Sequence, residues 1–291
     1  MSSGDSTLVA KRQAGEGYPE LAVCYGWEAL ALMRRTGLAI AAACLMCALT
    51  ACTPKSGPVA TASSRAASPS LTVTAPAEVA DQVAKARAML AKVRIGGRGA
   101  QTGYQRTEDF GAAWLDVDGN GCRTRDDVLA RDLVVTARRN RCVVTAGTFT
   151  DPYSGKSMTF SKARADDVQI DHLVPLGLAW QLGAPQWTLG QRVAFANDPE
   201  ELLAVNGGLN QAKGDSGPDS WLPPDRTYRC TYVIRFTRVA YTYGLRITPS
   251  MRDAINRQLD TCRMVVGDPA DLQPLPAEDW PRAERLAQAA R

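Results

Sequence analysis

The stretch VQIDHLVP, residues 168–175, decides how this chain is interpreted. Short β-prone residues run directly into an aspartate and a histidine, and Pro175 then opens an apolar stretch that ends at Leu182. This order predicts a strand over 168–170, a polar junction at Asp171 and His172, and a helix after it. His172 is the single histidine of the chain, so any chemistry that needs an imidazole must occur there.

Three later segments follow in order, FANDP at 195–199, LLAV at 202–205 and LNQAKGD at 209–215. Together with Asp171-His172 they resemble the HNH, or His-Me finger, nucleases. More narrowly, they resemble the secreted actinobacterial HNH proteins related to the C-terminal domain of modification-dependent restriction enzymes. The resemblance covers about residues 119–243. It implies an α+β fold with a ββα-metal core and additional packing helices.

The resemblance also implies hydrolysis of phosphodiester bonds in DNA, and in RNA as an open alternative, with little sequence specificity because no base-reading motif is recognised. His172 would be the general base, and Asp171 and Asn210 would hold one divalent cation, Mg²⁺ or Mn²⁺. An imidazole can take a proton from water at neutral pH, and oxygen ligands suit hard cations. Lys213 would hold a phosphate as a point charge. Adjacent side chains on a strand point in opposite directions, so Asp171 and His172 would share one site only if the chain bends.

One position departs from the family pattern. Nine residues before Asn210, where these nucleases usually have an asparagine, this chain has Glu201. In the family that residue mainly holds the loop that bears the base. Three interpretations of Glu201 remain open. It replaces the asparagine as a hydrogen-bonding residue, it is an additional metal ligand, or its presence lowers the activity.

The competing interpretation is a catalytically weakened surface lipoprotein that binds nucleic acid or calcium on the same fold. An isolated Asp-His-x-x-Pro is more often a structural turn than a site. The ordered later segments, and the absence of another histidine, favour the nuclease. A toxin or antiphage effector would use the same site, but the sequence contains no recognised delivery module.

The stretch DVDGNG at 116–121 matches the start of an EF-hand loop that ends at Asp127. The candidate calcium ligands are Asp116, Asp118, Asn120 and Asp127. A polar, glycine-rich turn is the alternative. Related secreted nucleases carry a similar stretch followed by Cys-x-Thr-Arg, which would place Thr124 and the phosphate-binding candidate Arg125 beside the substrate groove.

The first part of the chain predicts export. Residues 33–52 contain two arginines, a short apolar run and Leu-Thr-Ala-Cys, which resembles the lipobox of bacterial lipoproteins and makes Cys52 the lipidated residue. The apolar run is short for the roughly 20 residues that span a bilayer. Residues 1–32 are interpreted as an over-extended start and residues 53–77 as a disordered Ser/Pro/Ala linker. The protein would be lipid-anchored to the outer face of the cell membrane, or secreted.

Export would place the four later cysteines in an oxidising compartment. Four cysteines allow three pairings, and Cys122–Cys142 with Cys230–Cys262 is favoured because each pair closes a modest loop. A zinc site is disfavoured, since none of these four cysteines belongs to a CxxC pair.

The remaining pattern predicts a nuclease domain over 78–266 and a loosely attached tail over 267–291. Helical periodicity and stop signals predict helices over 78–93, 228–243 and 251–266. Alternating short runs predict a β-hairpin with strands over 142–149 and 157–160. The formal charge of +4, from 34 basic and 30 acidic residues, permits a polyanionic partner, and we expect a monomer.

Overall fold

The computed structural model describes residues 76–266 and 275–290. The predictions for residues 1–75, which comprise the over-extended start, the lipoprotein signal with Cys52 and the linker, lie outside the described residues. Within the described part, no helix has both the length and the apolar character that a membrane-spanning helix needs.

Helices make up just under half of the described chain. In chain order the α-helices are α1 (Pro76–Leu90), α2 (Arg106–Phe110), α3 (Thr124–Asp132), α4 (Leu176–Leu182), α5 (Leu189–Ala196), α6 (Gly207–Lys213), α7 (Arg229–Thr242), α8 (Pro249–Thr261) and α9 (Trp280–Ala289). Short 3₁₀ turns cover Lys162–Asp167, Ala184–Gln186 and Ala277–Asp279. The predicted helices over 78–93, 175–182 and 228–243 correspond to α1, α4 and α7.

The strands form small separate sheets. They are β1 (Arg94–Ile95), β2 (Val134–Arg138), β3 (Val144–Thr150), β4 (Ser157–Ser161), β5 (Val168–His172), β6 (Leu202–Asn206) and β7 (Arg246–Ile247). β1 pairs with β7 in parallel, β2, β3 and β4 form an antiparallel sheet, and β5 pairs with β6 antiparallel. The predicted hairpin corresponds to β3 and β4, and the mixture of helices and small sheets confirms the α+β class.

The predicted ββα core consists of β5, β6 and α6. β5 stays paired through its last residue, with Asp171 opposite Leu203 and His172 opposite Leu202. α6 follows β6 without a loop because the Asn206 side chain caps it, accepting a hydrogen bond from the N–H of Leu209 at 2.9 Å. The helix therefore lies directly beside the strand that carries Asp171 and His172.

Two apolar clusters hold this core in place. The larger one gathers side chains from α1, α4, α7 and α8, among them Leu178, Tyr232, Phe236 and Ile255. The second lies between α3 and the strands and includes Leu129, Phe160 and Ile170. β6 contributes residues to both clusters and β5 contributes Val168 and Ile170 to the second, so the backbone of β6 is held from both sides.

Both predicted disulfides are confirmed. Cys122–Cys142 and Cys230–Cys262 have Cα–Cα distances of 5.2 and 5.5 Å. The first joins the loop before α3 to the start of β3, and the second joins the start of α7 to the residue after α8. α8 begins two residues earlier and ends five residues earlier than predicted, because Thr248 caps it, Pro249 is its first residue, and the chain leaves the helix before Cys262.

The C-terminal segment differs from the loosely attached tail that was expected. α9 packs closely on α5, with Ala283 and Ala287 fully buried against Val193 and Ala194. A Cβ on Gly190 of α5 would lie 2.4 Å from the backbone oxygen of Trp280, so the two helices approach each other where side chains are small. A pattern of small residues carries little hydrophobic signal in the sequence, which explains why this contact was not predicted.

Candidate active site

His172 lies at the end of β5 and is 6% exposed. Its Nε2 lies 3.0 Å from the backbone oxygen of Ala196. A carbonyl oxygen only accepts hydrogen bonds, so Nε2 carries the proton and Nδ1 keeps its lone pair. The Trp114 ring stacks on the imidazole at 6.1 Å between centroids, with planes 16° apart. The ring is thus fixed in one tautomer with an unprotonated Nδ1.

The surroundings of His172 disfavour its charged form. Burial is the main cause, the positive charge of Arg106 acts in the same direction, and together they lower the pKa of His172 to about 3. The imidazole is therefore neutral at physiological pH, which is the state that can accept a proton.

Asp171 belongs to a buried polar cluster. Its Oδ1 accepts a hydrogen bond from Nζ of Lys213 at 2.9 Å, and its Oδ2 accepts one from the hydroxyl of Tyr153. The Lys213 ammonium also donates to the backbone oxygen of His172 at 2.7 Å. Lys213 is only 1% exposed, so its charge neutralises Asp171 and does not reach a substrate phosphate as the sequence had indicated.

Asp171 and His172 border one cleft although β5 does not bend. Their side chains leave the strand on opposite sides, towards Lys213 and towards Ala196, as strand geometry requires. The strand ends at the cleft, so both still line it. The cleft has a volume of about 200 Å³ and is lined by Arg106, Gln169, Ile170, Asp171, His172, Pro175, Leu176, Asn210, Gln211, Gly214 and Asp215.

The donors at this cleft fit a divalent cation of the magnesium type. Asn210 uses its Nδ2 to hydrogen bond Gln169 Oε1 at 3.0 Å, which leaves its oxygen as an acceptor beside Asp171 in the cleft. Each Asp171 oxygen accepts one hydrogen bond and retains a second lone pair. Nowhere in 76–266 or 275–290 do three His, Cys, Asp or Glu side chains gather in an arrangement that could hold a metal ion. One carboxylate and one amide, completed by water and phosphate, is a set that Mg²⁺ accepts.

Glu201 holds the backbone that follows His172. Its Oε1 accepts a hydrogen bond from the N–H of Val174 at 2.8 Å, and its backbone oxygen accepts one from the N–H of Leu173 at 2.9 Å. The side chain is fully buried and does not border the cleft. Burial raises the pKa of Glu201 well above its usual value, which favours the protonated, neutral form of the group. Of the three open roles, these contacts support hydrogen bonding.

The structure places Arg106 at the cleft and Arg125 away from it. Arg125 donates to the backbone oxygen of Val168 at 3.3 Å, at the far end of β5, and does not line the cleft. Arg106 was not singled out from the sequence. It stands 66 residues before His172 in a segment without a recognised motif, and no local signal connects the two.

The predicted calcium loop is closed by its own hydrogen bonds. Asp116 accepts a bond from the N–H of Gly121 at 2.9 Å, and the side chains of Asp118 and Asn120 also accept bonds from backbone N–H groups of the loop. Asp127 lies in the first turn of α3. Burial raises the pKa of both Asp118 and Asp127, and the neighbouring carboxylates add to the effect.

Comparisons with known proteins agree with the geometry at the level of the family. Residues 123–256 match the family described as GmrSD restriction endonucleases, C-terminal domain. A protein of Arthroderma benhamiae, named as an uncharacterized secreted protein, is 40% identical over 179 residues, which cover 61% of this chain and 84% of that protein. No solved structure matches the chain. The matched range contains Asp171, His172, Glu201, Asn210 and Lys213.

Proposed function

Because this chain belongs to the family of the GmrSD restriction endonuclease C-terminal domain, we propose that it is a metal-dependent endonuclease that hydrolyses phosphodiester bonds in DNA, with RNA as the alternative substrate. The observation that carries the proposal is the tautomer of His172. Its Nε2–H is held by the oxygen of Ala196, and Nδ1 has no partner among the residues the structure describes. A fixed, neutral imidazole at the edge of a polar cleft is suited to general-base catalysis.

In this mechanism Nδ1 of His172 takes the proton from the attacking water. Trp114 and Ala196 fix the ring, while Glu201 fixes the backbone just after it. Lys213 donates a hydrogen bond to the backbone oxygen of His172. It also pairs with Asp171, whose carboxylate would otherwise be an unpaired buried charge.

Asp171 and Asn210 are the residues that would hold the divalent cation, Mg²⁺ or Mn²⁺. When bound, the cation supplies positive charge at the phosphate and the leaving oxygen. Little sequence specificity is proposed, since the site has no recognised module for reading base edges.

The cellular setting is a further part of the proposal. The relative from Arthroderma benhamiae is named as a secreted protein, and the present chain has a lipobox-like segment that ends at Cys52. We propose that the chain is exported and lipid-anchored or secreted, and that it acts as a monomer. The two disulfides support an oxidising compartment.

Calcium at the loop of Asp116, Asp118, Asn120 and Asp127 stays a prediction. Its support is the EF-hand-like spacing of these residues in the sequence, while no three acidic side chains of the described residues are arranged to hold a metal ion. A binding module without catalysis is the weaker alternative, because Glu201, its best sequence argument, is explained by its hydrogen bond to Val174.

The decisive experiment is cleavage of supercoiled plasmid by the purified, disulfide-intact protein with Mg²⁺, with Mn²⁺ or with EDTA, alongside His172→Ala. We expect cation-dependent nicking that His172→Ala lowers by roughly 10²- to 10⁴-fold, the usual contribution of a general base. Arg257→Ala, which changes an exposed residue of α8, is the matched control and should cleave normally. Cleavage that survives His172→Ala, in a variant with unchanged thermal unfolding, would contradict the proposal.

A further inference from the structure

Arg106 is a cation at the cleft without an acidic partner in the described part of the chain. It is the first residue of α2, its side chain is exposed, and no ion pair connects it to a carboxylate. Asp215 lines the same cleft, but its carboxylate accepts a hydrogen bond from Gln101 at 3.3 Å. The charge of Arg106 is therefore available to an incoming anion.

The position of Arg106 relative to His172 is defined by two cavities. His172 borders the cleft of about 200 Å³ and also a smaller cavity of about 40 Å³ that is lined by Trp114. Arg106, His172 and Leu176 are the residues that border both cavities. Arg106 and His172 thus lie together where the two spaces adjoin.

The other basic side chains near His172 already have partners. Lys213 is occupied by Asp171, and Arg125 donates to the backbone of β5. Arg106 is therefore the basic side chain of the cleft that can bind a phosphate beside His172.

Neighbouring aromatic side chains limit the freedom of Arg106. Its side chain lies near the phenol of Tyr104, and the Tyr104 ring packs against Trp180 at 5.8 Å and Phe110 at 6.1 Å between centroids. A guanidinium held on one side in this way loses less rotamer freedom when it binds an anion. Its planar fork matches two oxygens of a phosphate group.

We propose that Arg106 binds the non-bridging oxygens of the scissile phosphate in the cleft beside His172. The inference rests on the proposed nuclease function and assigns to Arg106 the phosphate contact for which the sequence had indicated Lys213. The substrate phosphate then lies between the guanidinium and the imidazole.

The test compares Arg106→Ala and Arg106→Lys with the control Arg257→Ala. Steady-state cleavage is measured with Mg²⁺ on a DNA duplex and on bis(p-nitrophenyl) phosphate, a small diester that has no flanking phosphates. We expect Arg106→Ala to lower kcat/KM roughly 10- to 100-fold on both substrates, the size of one charge-assisted hydrogen bond. Arg106→Lys should recover part of the loss, since it restores the charge without the fork.

A second readout is independent of cleavage. The affinity for a fluorescent DNA duplex is measured in EDTA at several salt concentrations, where Arg106→Ala should bind more weakly and reduce the slope of log K against log salt by about 1. Equal behaviour of Arg106→Ala and Arg257→Ala on both diesters overturns the inference. So does a loss on DNA alone, because it places Arg106 on a flanking phosphate.

The cleavage activity of the wild-type protein distinguishes failure of the nuclease proposal from failure of this inference. If the wild type cleaves neither substrate, the proposed nuclease function fails. The binding measurement then decides the phosphate contact: weaker binding by Arg106→Ala supports it, and unchanged binding overturns it.

Discussion

Glu201 stands where the resembling nucleases carry an asparagine, and its contacts explain how a carboxyl group is accommodated there. The group is buried, burial raises its pKa well above the usual value, and it accepts a hydrogen bond from the N–H of Val174. A glutamine has nearly the same shape and offers the same acceptor oxygen. The structural role of this position therefore depends on an acceptor and not on a negative charge.

We accordingly expect Glu201→Gln to keep most of the nuclease activity and the thermal unfolding midpoint. Glu201→Ala leaves the N–H of Val174 without its acceptor, and should lower the free energy of unfolding by roughly 1–3 kcal/mol and reduce activity. Thermal unfolding and plasmid nicking over a range of Mg²⁺ concentrations measure both effects. A higher Mg²⁺ requirement in Glu201→Gln would instead indicate a role as a metal ligand.

At the same scale, the sequence predicted which residues form the site, but it did not predict how those residues contact one another. Asp171, His172 and Asn210 do border one cleft, because short motifs specify which residues meet there. The motif does not specify that the Lys213 ammonium turns inward to Asp171, which depends on the buried hydroxyl of Tyr153 and on the packing around it. Arg106 was missed because its proximity to His172 arises from long-range packing of α2.

At the scale of elements, regular periodicity was sufficient for α1, α4, α7 and the β3–β4 hairpin. The third strand of that sheet, β2 (Val134–Arg138), was not predicted. Its outer half is exposed and its register with β3 is irregular after Val135, so it lacks a clean alternation of apolar and polar residues. The contact between α5 and α9 depends on glycine and alanine, which periodicity does not reveal.

The loop before α3 gives a prediction for calcium. If Asp116, Asp118 and Asp127 hold Ca²⁺, the ion stabilises the folded state, and the unfolding midpoint should rise with Ca²⁺ concentration in wild type but not in Asp116→Asn. Differential scanning calorimetry in Ca²⁺ and in EDTA measures the midpoint, with Mg²⁺ at equal concentration as the control for the catalytic cleft. An unchanged midpoint in wild type would leave the loop as a self-closed turn.

At the scale of the whole molecule, Asp198 connects the C-terminal segment to the core. Its carboxylate accepts hydrogen bonds from the hydroxyl of Tyr243 at 2.6 Å and from the N–H of Leu275 at 3.2 Å. Burial raises the pKa of Asp198 from 3.8 to about 6. The folded protein therefore binds a proton between pH 4 and pH 6 that the unfolded chain has released.

This linkage fixes the sign of a pH effect. A carboxyl group whose pKa is raised on folding contributes stability below its unfolded pKa, and that contribution is lost as the pH rises through the folded pKa. We compare the free energy of unfolding of the wild type with that of Asp198→Asn. The wild-type value minus the variant value should fall from pH 4 to pH 7, by no more than roughly 3 kcal/mol. Urea unfolding of both proteins at each pH measures the difference, and a difference that does not change with pH would show that Asp198 is not the responsible group.

The two disulfides have a consequence for the cell that makes the protein. None of the four cysteines lines the cleft, so the bridges affect the folded fraction and not the chemistry. Each contributes roughly 3 kcal/mol, a large share of the 5–15 kcal/mol that hold a typical domain together. A chain that stays in a reducing cytoplasm lacks both contributions, so under the proposed function the producer's own chromosome would be spared until the enzyme is exported.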